Sequence, residues 1–363
     1  MSSTDGPVTR GRVGRRGGGA ANRYAVLRAG RASFLMHRRS VLVAVALLLV
    51  LAAGFLLALC VGDRFTPPSS VLAALTGGDS PDAFTVEVLR LPRATVGLLV
   101  GVCLGLSGAT VQTVARNPLA SPDIIGVTQG AAAATVVCTV LGVASAAAMP
   151  FVAIGGGIAA TALVYGLAWR RGLHAQRFVL IGIGISLALQ SVVHLFLTKG
   201  DALQAQQAKV WITGSLNGTT WSSAWPPVIA LAACLVPLVW AARAQRAVAL
   251  DDATATGLGT RLDRSRLGLI AIGVVLASVA AGAAGPISFV ALVAPQLARR
   301  LTRTSQLPLV CAGLAGAVIV TVADILARVL LSPTELPVGV LTAVVGAPYM
   351  LWLLARSRTG GRS

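Results

Sequence analysis

Long stretches without a charged residue limit the possible folds of this chain more than any other feature. Residues 41–61 form 21 consecutive positions that contain no Asp, Glu, Lys or Arg. A helix of about 20 apolar residues crosses the ~30 Å hydrocarbon core of a membrane. Only 12% of the 363 residues are charged, against about 25% in soluble proteins. These features exclude a soluble domain and predict an all-α polytopic membrane protein.

The same criterion places about ten spans along the chain. They lie near residues 41–61, 94–114, 124–143, 147–168, 178–198, 226–242, 268–284, 287–298, 307–327 and 338–355. The eighth span is short because prolines at 286 and 295 interrupt it. Gly97, Gly101 and Gly105 recur at every fourth residue of the second span, and such small-residue faces let helices approach closely in lipid. The pattern therefore predicts a packed helical bundle.

The net charge of +18 has two interpretations, nucleic-acid binding or membrane topology. If the N-terminus is inside and the spans alternate, 24 of the 30 basic residues fall on the cytoplasmic side. This bias favours topology, predicts both termini in the cytoplasm, and argues against a nucleic-acid partner. Arg90, Arg93 and Arg328 are among the few basic residues on the outer side.

Three regions follow from these patterns. Residues 1–39 carry nine arginines and a run of three glycines. This composition predicts a disordered cytoplasmic tail. Residues 40–355 form the transmembrane domain, and residues 356–363 form a second cytoplasmic tail. Arg38 and Arg39 also match a twin-arginine export signal. However, the apolar run that follows them exceeds the ~7–15 residues of a signal peptide, which favours a retained first helix.

Several kinds of chemistry have no matching residues. The two lysines, Lys199 and Lys209, stand outside any GxxxxGK[ST] motif, so the chain is not a P-loop ATPase. The spans contain few ionisable residues, which disfavours an ion-coupled carrier, although that alternative stays open. The five cysteines lack CxxC spacing and the three histidines are scattered, so we predict no disulfide, metal site or cofactor.

One sequence match leaves an enzymatic alternative open. Residues 105–108 read GLSG, the GxSG motif of rhomboid-type intramembrane proteases. Ser107 and His194 lie in different predicted spans and could in principle form a catalytic dyad. In a chain with 40 glycines this match carries little weight. We therefore predict a non-enzymatic protein in which Ser107 packs at a helix crossing.

A short amphipathic helix is predicted on the cytoplasmic side, over residues 249–259. The acidic pair at its N-terminal end suits the helix dipole, and glycines close the other end. A helix of this kind between long spans could dock onto a cytoplasmic protein. Its candidate contact residues are Ala249, Leu250, Asp251, Asp252, Ala253, Leu258 and Gly259.

Seven segments, in this order, resemble the permease subunits of the iron-siderophore and vitamin B12 family of ABC importers. The resemblance covers about residues 40–355. It is carried by RLPR at 90–93, RNPLASPDIIGVTQGA at 116–131, WITGSLNG at 211–218, ALDDATATGLG at 249–259, GPISFVALVAP at 285–295, ADILAR at 323–328 and ELPVGVLTAVVGAPYMLWLL at 335–354.

The resemblance implies the type II ABC importer permease fold, with ten helices in the cytoplasmic membrane. It also implies a second permease subunit, two ATPase subunits below, and an extracytoplasmic binding protein above. By the same resemblance, Arg90, Arg93 and Arg328 would pair with glutamates of the binding protein. Residues 249–262 would form the coupling helices that contact the ATPase, and Ala175 and Gln176 would lie at the cytoplasmic gate.

The likeness is strongest to the ferric-enterobactin permease branch. Pro295 and Gln296 stand where many members have Pro-His, and the segment at 211–218 agrees with this branch. The branch implies a homologous but different second permease, with a homodimer as the alternative, and a ferric siderophore as cargo, of the catecholate type. Cobalamin and haem remain alternative cargoes.

Overall fold

The structure is a computed structural model of the chain. It describes residues 24–29, 32–62, 64–78, 81–145, 147–169, 175–331 and 334–359. Within these ranges thirteen α-helices form a bundle, a π-helical turn at Thr85–Arg90 leads into the third helix, and a two-stranded hairpin precedes the first.

The thirteen described helices have the following bounds, in chain order. They are α1 (Arg38–Cys60), α2 (Pro68–Leu75), α3 (Leu91–Ala115), α4 (Val127–Leu141), α5 (Met149–Ala168), α6 (Ala175–Lys199), α7 (Ala202–Ile212), α8 (Trp221–Val248), α9 (Asp252–Gly257), α10 (Leu262–Ala284), α11 (Val290–Thr302), α12 (Leu309–Val329) and α13 (Val338–Thr359).

Each of the ten predicted spans overlaps one of the ten described helices that have 13 residues or more, which we call the long helices, so the all-α polytopic fold is confirmed. Seven of the described helices are long and apolar enough to cross a membrane. Helix α11 has 13 residues, which is too short for a full crossing. We call the end of the bundle at the start of α1 the inner, cytoplasmic end, and the opposite end the outer end.

Both predicted tails contain secondary structure in the part of the chain that the structure describes. Residues 24–29 (β1) and 32–37 (β2) pair as an antiparallel hairpin, although the sequence predicted a disordered tail there. Residues 1–23 lie outside the described part of the chain. At the other terminus α13 continues to Thr359, so the tail predicted from residue 356 begins as helix.

Helix α3 lies at the centre of the bundle. It packs against α10 and α12, and 78% of its most apolar stretch is buried, against 17% for α1. The predicted glycine face makes this packing possible, because a Cβ on Gly101 or Gly105 would overlap the backbone of α12 at Ala317 or Ala312. Any larger residue here would force the helices apart.

A second set of glycines brings three loops together at the outer end. Gly214 and Gly285 have φ values of +72° and +70°, which favour glycine. The backbone amide of Gly339 donates a hydrogen bond to the carbonyl of Gly214 over 3.0 Å, and Ser215 donates one to Ala284 over 2.9 Å. Three of the sequence motifs noted above therefore meet at this backbone junction.

Candidate functional site

Three arginines of the outer end lie close together in the bundle. Arg90 ends the π-helical turn, Arg93 lies in the first turn of α3, and Arg328 lies in the last turn of α12. All three are buried, with exposed fractions of 7%, 8% and 5%. A buried charge needs compensating partners, and the chain supplies them itself.

Two carboxylates compensate Arg93 and Arg328. Arg93 Nε donates to Asp324 Oδ1 over 2.9 Å, and its Nη1 lies 2.8 Å from Glu335 Oε2. Arg328 Nη2 lies 3.0 Å from Asp324 Oδ2. Asp324 therefore bridges two arginines from different helices. We call these four residues the outer ion cluster.

Arg90 is held differently, by backbone carbonyls at the end of α1. Its Nη1 donates to Leu59 O and Cys60 O over 2.7 and 3.0 Å, and its Nη2 donates to Arg64 O over 2.7 Å. Helix carbonyls carry partial negative charge at a helix C-terminus, so the guanidinium stabilises this end of α1. Gly62 leaves space for it, because a Cβ there would lie 2.7 Å from Arg90 Nη2.

A cleft of about 720 Å³ opens at the outer end beside these arginines. Its basic lining is Arg64, Arg90, Arg93 and Arg328, and its acidic lining is Asp82 and Glu335. The cleft can receive an acidic side chain from outside, which would compete with Glu335 for Arg93. The structure thus brings together the three arginines that the sequence singled out.

Sequence reasoning did not identify Asp324 and Glu335 as partners of the arginines. A signal for one of them was present, because Asp324 and Arg328 stand four residues apart on one helix face. The pairing of Arg93 with residues more than 200 positions away depends on the packing of α3 against α12, which no local pattern reveals.

The predicted cytoplasmic helix is present at the inner end but is shorter than expected. Helix α9 spans Asp252–Gly257, and Asp251 caps it by accepting a hydrogen bond from Thr254 N over 2.9 Å. Ala249 belongs to the C-terminal cap of α8, and Gly259, with φ +78°, ends the turn. The helix is shorter than predicted because Asp251 caps its start and Leu258 caps its end.

Exposed apolar side chains flank α9. Leu250 and Leu258 are 39% and 69% exposed, while Ala255 is buried against the bundle. Hydrogen bonding to Thr254 lowers the pKa of the Asp251 carboxyl. Burial raises the pKa of Asp252, but the hydrogen bonds from Arg266 and Arg116 outweigh it, and the net shift is downward. The surface therefore combines ionised carboxylates with two exposed leucines, which suits a protein partner.

Arg116 connects α9 to the central helix α3. It follows the last residue of α3, and its Nε donates to Val248 O over 3.0 Å. Its Nη2 donates to Leu250 O and lies 2.8 Å from Asp252 Oδ1. Arg266 Nη2, from the second turn of α10, binds the same Asp252 oxygen over 2.7 Å. We call Arg116, Asp252 and Arg266 the inner clamp.

The two residues of the possible protease dyad do not meet. Ser107 is fully buried, and its hydroxyl donates to the carbonyl of Gly273 in α10 over 2.5 Å. His194 lies exposed on α6. Among the described residues no hydrogen bond joins the two side chains. Ser107 thus has the packing role at a helix crossing that the sequence analysis favoured.

The expected gate residues lie at the inner end of α6. The helix begins at Ala175, and Gln176 in its first turn is exposed. Residues 170–174, which precede them, lie outside the described part of the chain.

Comparisons with known proteins agree with this architecture. The FecCD transport family matches residues 48–356. The chain is 41% identical to the ferric enterobactin transport system permease protein FepG of Escherichia coli, over 79% of this chain and 87% of that protein. It is 38% identical to the probable siderophore transport system permease protein YfhA of Bacillus subtilis, over 89% of this chain and 96% of that protein.

One further curated relative and one solved structure are also similar to this chain. The vitamin B12 import system permease protein BtuC of Serratia proteamaculans is 36% identical, over 86% of this chain and 92% of that protein. A solved structure of a metal-chelate type ABC transporter in an inward-facing conformation superimposes with a TM-score of 0.75 and 28% identity. That match covers 87% of this chain and 99% of the solved one.

The matched region includes both the arginine cluster at the outer end and the short helix at the inner end. The family's members are membrane permeases of ABC transporters, which agrees with the apolar helices described above. The chain therefore belongs to the FecCD transport family and is a multi-pass ABC transporter permease of the cytoplasmic membrane.

Proposed function

We propose that this chain moves a ferric siderophore inward across the cytoplasmic membrane, powered by ATP hydrolysis on separate ATPase subunits. One observation carries the proposal. A cleft lined by arginines opens at the outer end, and a short helix flanked by exposed leucines projects at the inner end. A subunit that links an external cargo carrier to an internal motor needs a docking surface at each end.

The cargo assignment rests on the relatives. FepG is named for ferric enterobactin, a catecholate, and YfhA is named for siderophore transport. We therefore assign a ferric siderophore, of the catecholate type, to this chain. BtuC, named for vitamin B12, is similar over much the same share of the chain, so cobalamin is the first competing cargo to test.

The outer cleft is our proposed docking site for a siderophore-binding protein. Acidic side chains of that protein would enter beside Arg90, Arg93 and Arg328. Because the chain's own carboxylates already hold Arg93, docking would exchange Glu335, which is partly exposed, for a carboxylate of the partner. Asp324 is buried and would stay in place.

The short helix α9 is our proposed contact with the ATPase subunits. Its exposed leucines would enter an apolar groove of the partner, and the carboxylates of Asp251 and Asp252 would lie at the polar rim. A second permease, homologous but different, would cover an apolar side of the bundle. The gate region at Ala175 and Gln176 would open toward the cytoplasm between the two permeases.

Neutral substitutions of the docking arginines test the outer half of this proposal. We expect Arg90→Gln, Arg93→Gln and Arg328→Gln each to weaken binding of the siderophore-binding protein by about tenfold or more. Lys209→Gln is the matched control, because this lysine is an exposed outer cation away from the cleft. Affinity is measured by pull-down on variants that remain monodisperse. Undiminished affinity in such variants would contradict the docking role.

Changes at α9 test the inner half. We expect a Gly/Ser linker in place of Asp251–Leu258 to abolish co-purification of the ATPase subunits, and Leu258→Ser to weaken it. Leu203→Ser is the matched control, because Leu203 is also 69% exposed but lies in α7 on the outer side. Normal recovery of the ATPase with the linker variant would refute this contact.

A further inference from the structure

Helix α3 connects both proposed docking surfaces. Its first turn carries Arg93 of the outer ion cluster, and Arg116 of the inner clamp follows its last residue. The 23 residue steps from Arg93 to Arg116 correspond to about 35 Å of helix. One buried helix thus extends from the outer cleft to the short helix α9.

The contacts of α3 favour motion as a rigid unit. Glycines bring it against α12 without space for a side chain, and the buried hydroxyl of Ser107 joins it to Gly273 of α10. A close-packed helix of this kind transmits displacement along its axis rather than absorbing it. A movement of α9 would need a direct contact to reach α3.

Arg116 supplies that connection. Its guanidinium donates to two carbonyls at the corner between α8 and α9 and contacts the Asp252 carboxylate. It therefore holds the entry to α9, whereas Arg266 holds the same carboxylate from α10. Arg116 and Arg266 both contact Asp252 Oδ1, so a displacement of α9 would pull on α3 and α10 together.

The backbone of Arg116 adds an independent observation. Its φ is +48°, in the left-handed region, where a residue with a Cβ is strained relative to glycine. Helices commonly end with glycine at such a position. Here the strained position holds an arginine whose side chain makes three contacts to the α8–α9 corner, so the strain is offset by a specific attachment.

We infer that Arg116 is the positioning residue that couples movement of α9 to the outer cleft through α3. This inference rests on the proposed function, because it assumes that an ATPase moves α9. It makes Arg116 a transmitting residue rather than a docking residue. Loss of its guanidinium should therefore leave partner assembly intact and interrupt the response at the far end of the helix.

The chain contains a closely matched control for the test. Arg303 also follows a helix, α11, at the inner end, and it also has a left-handed φ, +51°. Its side chain is exposed. Asn tolerates the left-handed conformation, so Arg116→Asn and Arg303→Asn remove the same charge from the same backbone geometry. Only the first variant removes the inner clamp.

The test uses the complete importer, with its ATPase subunits, carrying Asn217→Cys in the outer cleft. The rate of maleimide labelling at this cysteine is measured with and without ATP plus vanadate. We expect a change of about fivefold or more in the parent protein and in Arg303→Asn, and its loss in Arg116→Asn despite normal ATPase content. A full response in Arg116→Asn, or loss of the ATPase subunits from this variant, would overturn the inference.

Two further measurements test the inner clamp, and the first of them does not depend on the proposed function. On the permease alone, hydrogen exchange at residues 252–257 should be about tenfold faster in Arg116→Asn than in Arg303→Asn; equal rates would overturn the inference. Asp252→Asn should also abolish the ATP-dependent change in labelling rate. The double variant Arg116→Asn with Asp252→Asn should show no larger defect than either single variant, because both substitutions remove the same contact. If maleimide labelling in the parent protein does not respond to ATP, the proposed function is refuted. The hydrogen-exchange result on the permease alone would still show whether Arg116 holds α9 in place.

Discussion

Replacing Asp324 with Asn should destabilise the protein strongly, because this carboxylate neutralises two buried arginines. Asp324 is 2% exposed, and it lies 2.9 Å from Arg93 and 3.0 Å from Arg328. The asparagine keeps the shape of the side chain and one acceptor oxygen but removes the charge. The variant therefore isolates the electrostatic contribution of the outer ion cluster.

The size of the effect follows from burial. Removing one partner of a buried ion pair costs about 3–5 kcal/mol. The low end, about 3 kcal/mol, applies here because Arg93 keeps its contact with Glu335. This value corresponds to a decrease of about a hundredfold in the ratio of folded to unfolded protein.

Glu335→Gln provides the control on the same arginine. The Glu335 side chain is 26% exposed, so water screens its interaction, and exposed pairs contribute about 0–1 kcal/mol. The assay is reversible unfolding of the purified permease in mixed micelles, followed by circular dichroism. Equal destabilisation by the two substitutions would refute the argument from burial.

Two further predictions concern the packing of α3. Ser107→Ala removes one buried hydrogen bond, so we expect a loss of about 1 kcal/mol in stability and near-normal uptake of radiolabelled iron. Loss of all uptake in a folded variant would restore the catalytic interpretation of this serine. Gly105→Leu places a side chain into the backbone at Ala312 and should prevent accumulation of the protein in membranes. Gly166→Leu, which faces open space, should not, and similar yields would contradict the packing.

The sequence predicted the ten long helices because hydropathy and length are local properties. Residues 41–61 are apolar enough to define α1 without knowledge of its neighbours. The helix ends were less predictable. Helix α10 begins at Leu262, before the predicted residue 268, because the apolar criterion rejects an initial turn that carries Asp263 and Arg264.

The hairpin was missed for a different reason. Arginine and glycine enrichment in the first 39 residues indicated disorder, whereas Tyr24–Ala29 and Ala32–His37 contain enough apolar residues to pair as antiparallel strands. Average composition over the tail concealed this local pattern.

The candidate sites show the same division between local and non-local information. The motifs located Arg90, Arg93 and Arg328, and the acidic residues near 251 located the short inner helix. They did not reveal that Arg93 is bound by the chain's own carboxylates or that Arg116 holds α9. Those contacts depend on how α3 packs against α12 and how it meets the corner between α8 and α9.

Uptake of radiolabelled ferric enterobactin tests the central claim most directly. The measurement compares proteoliposomes that contain the complete importer and its siderophore-binding protein, with ATP or a non-hydrolysable analogue inside. We predict accumulation of iron only with ATP, with unlabelled cobalamin failing to compete. Iron accumulation without ATP hydrolysis, or transport of cobalamin in place of the siderophore, would contradict the proposed function.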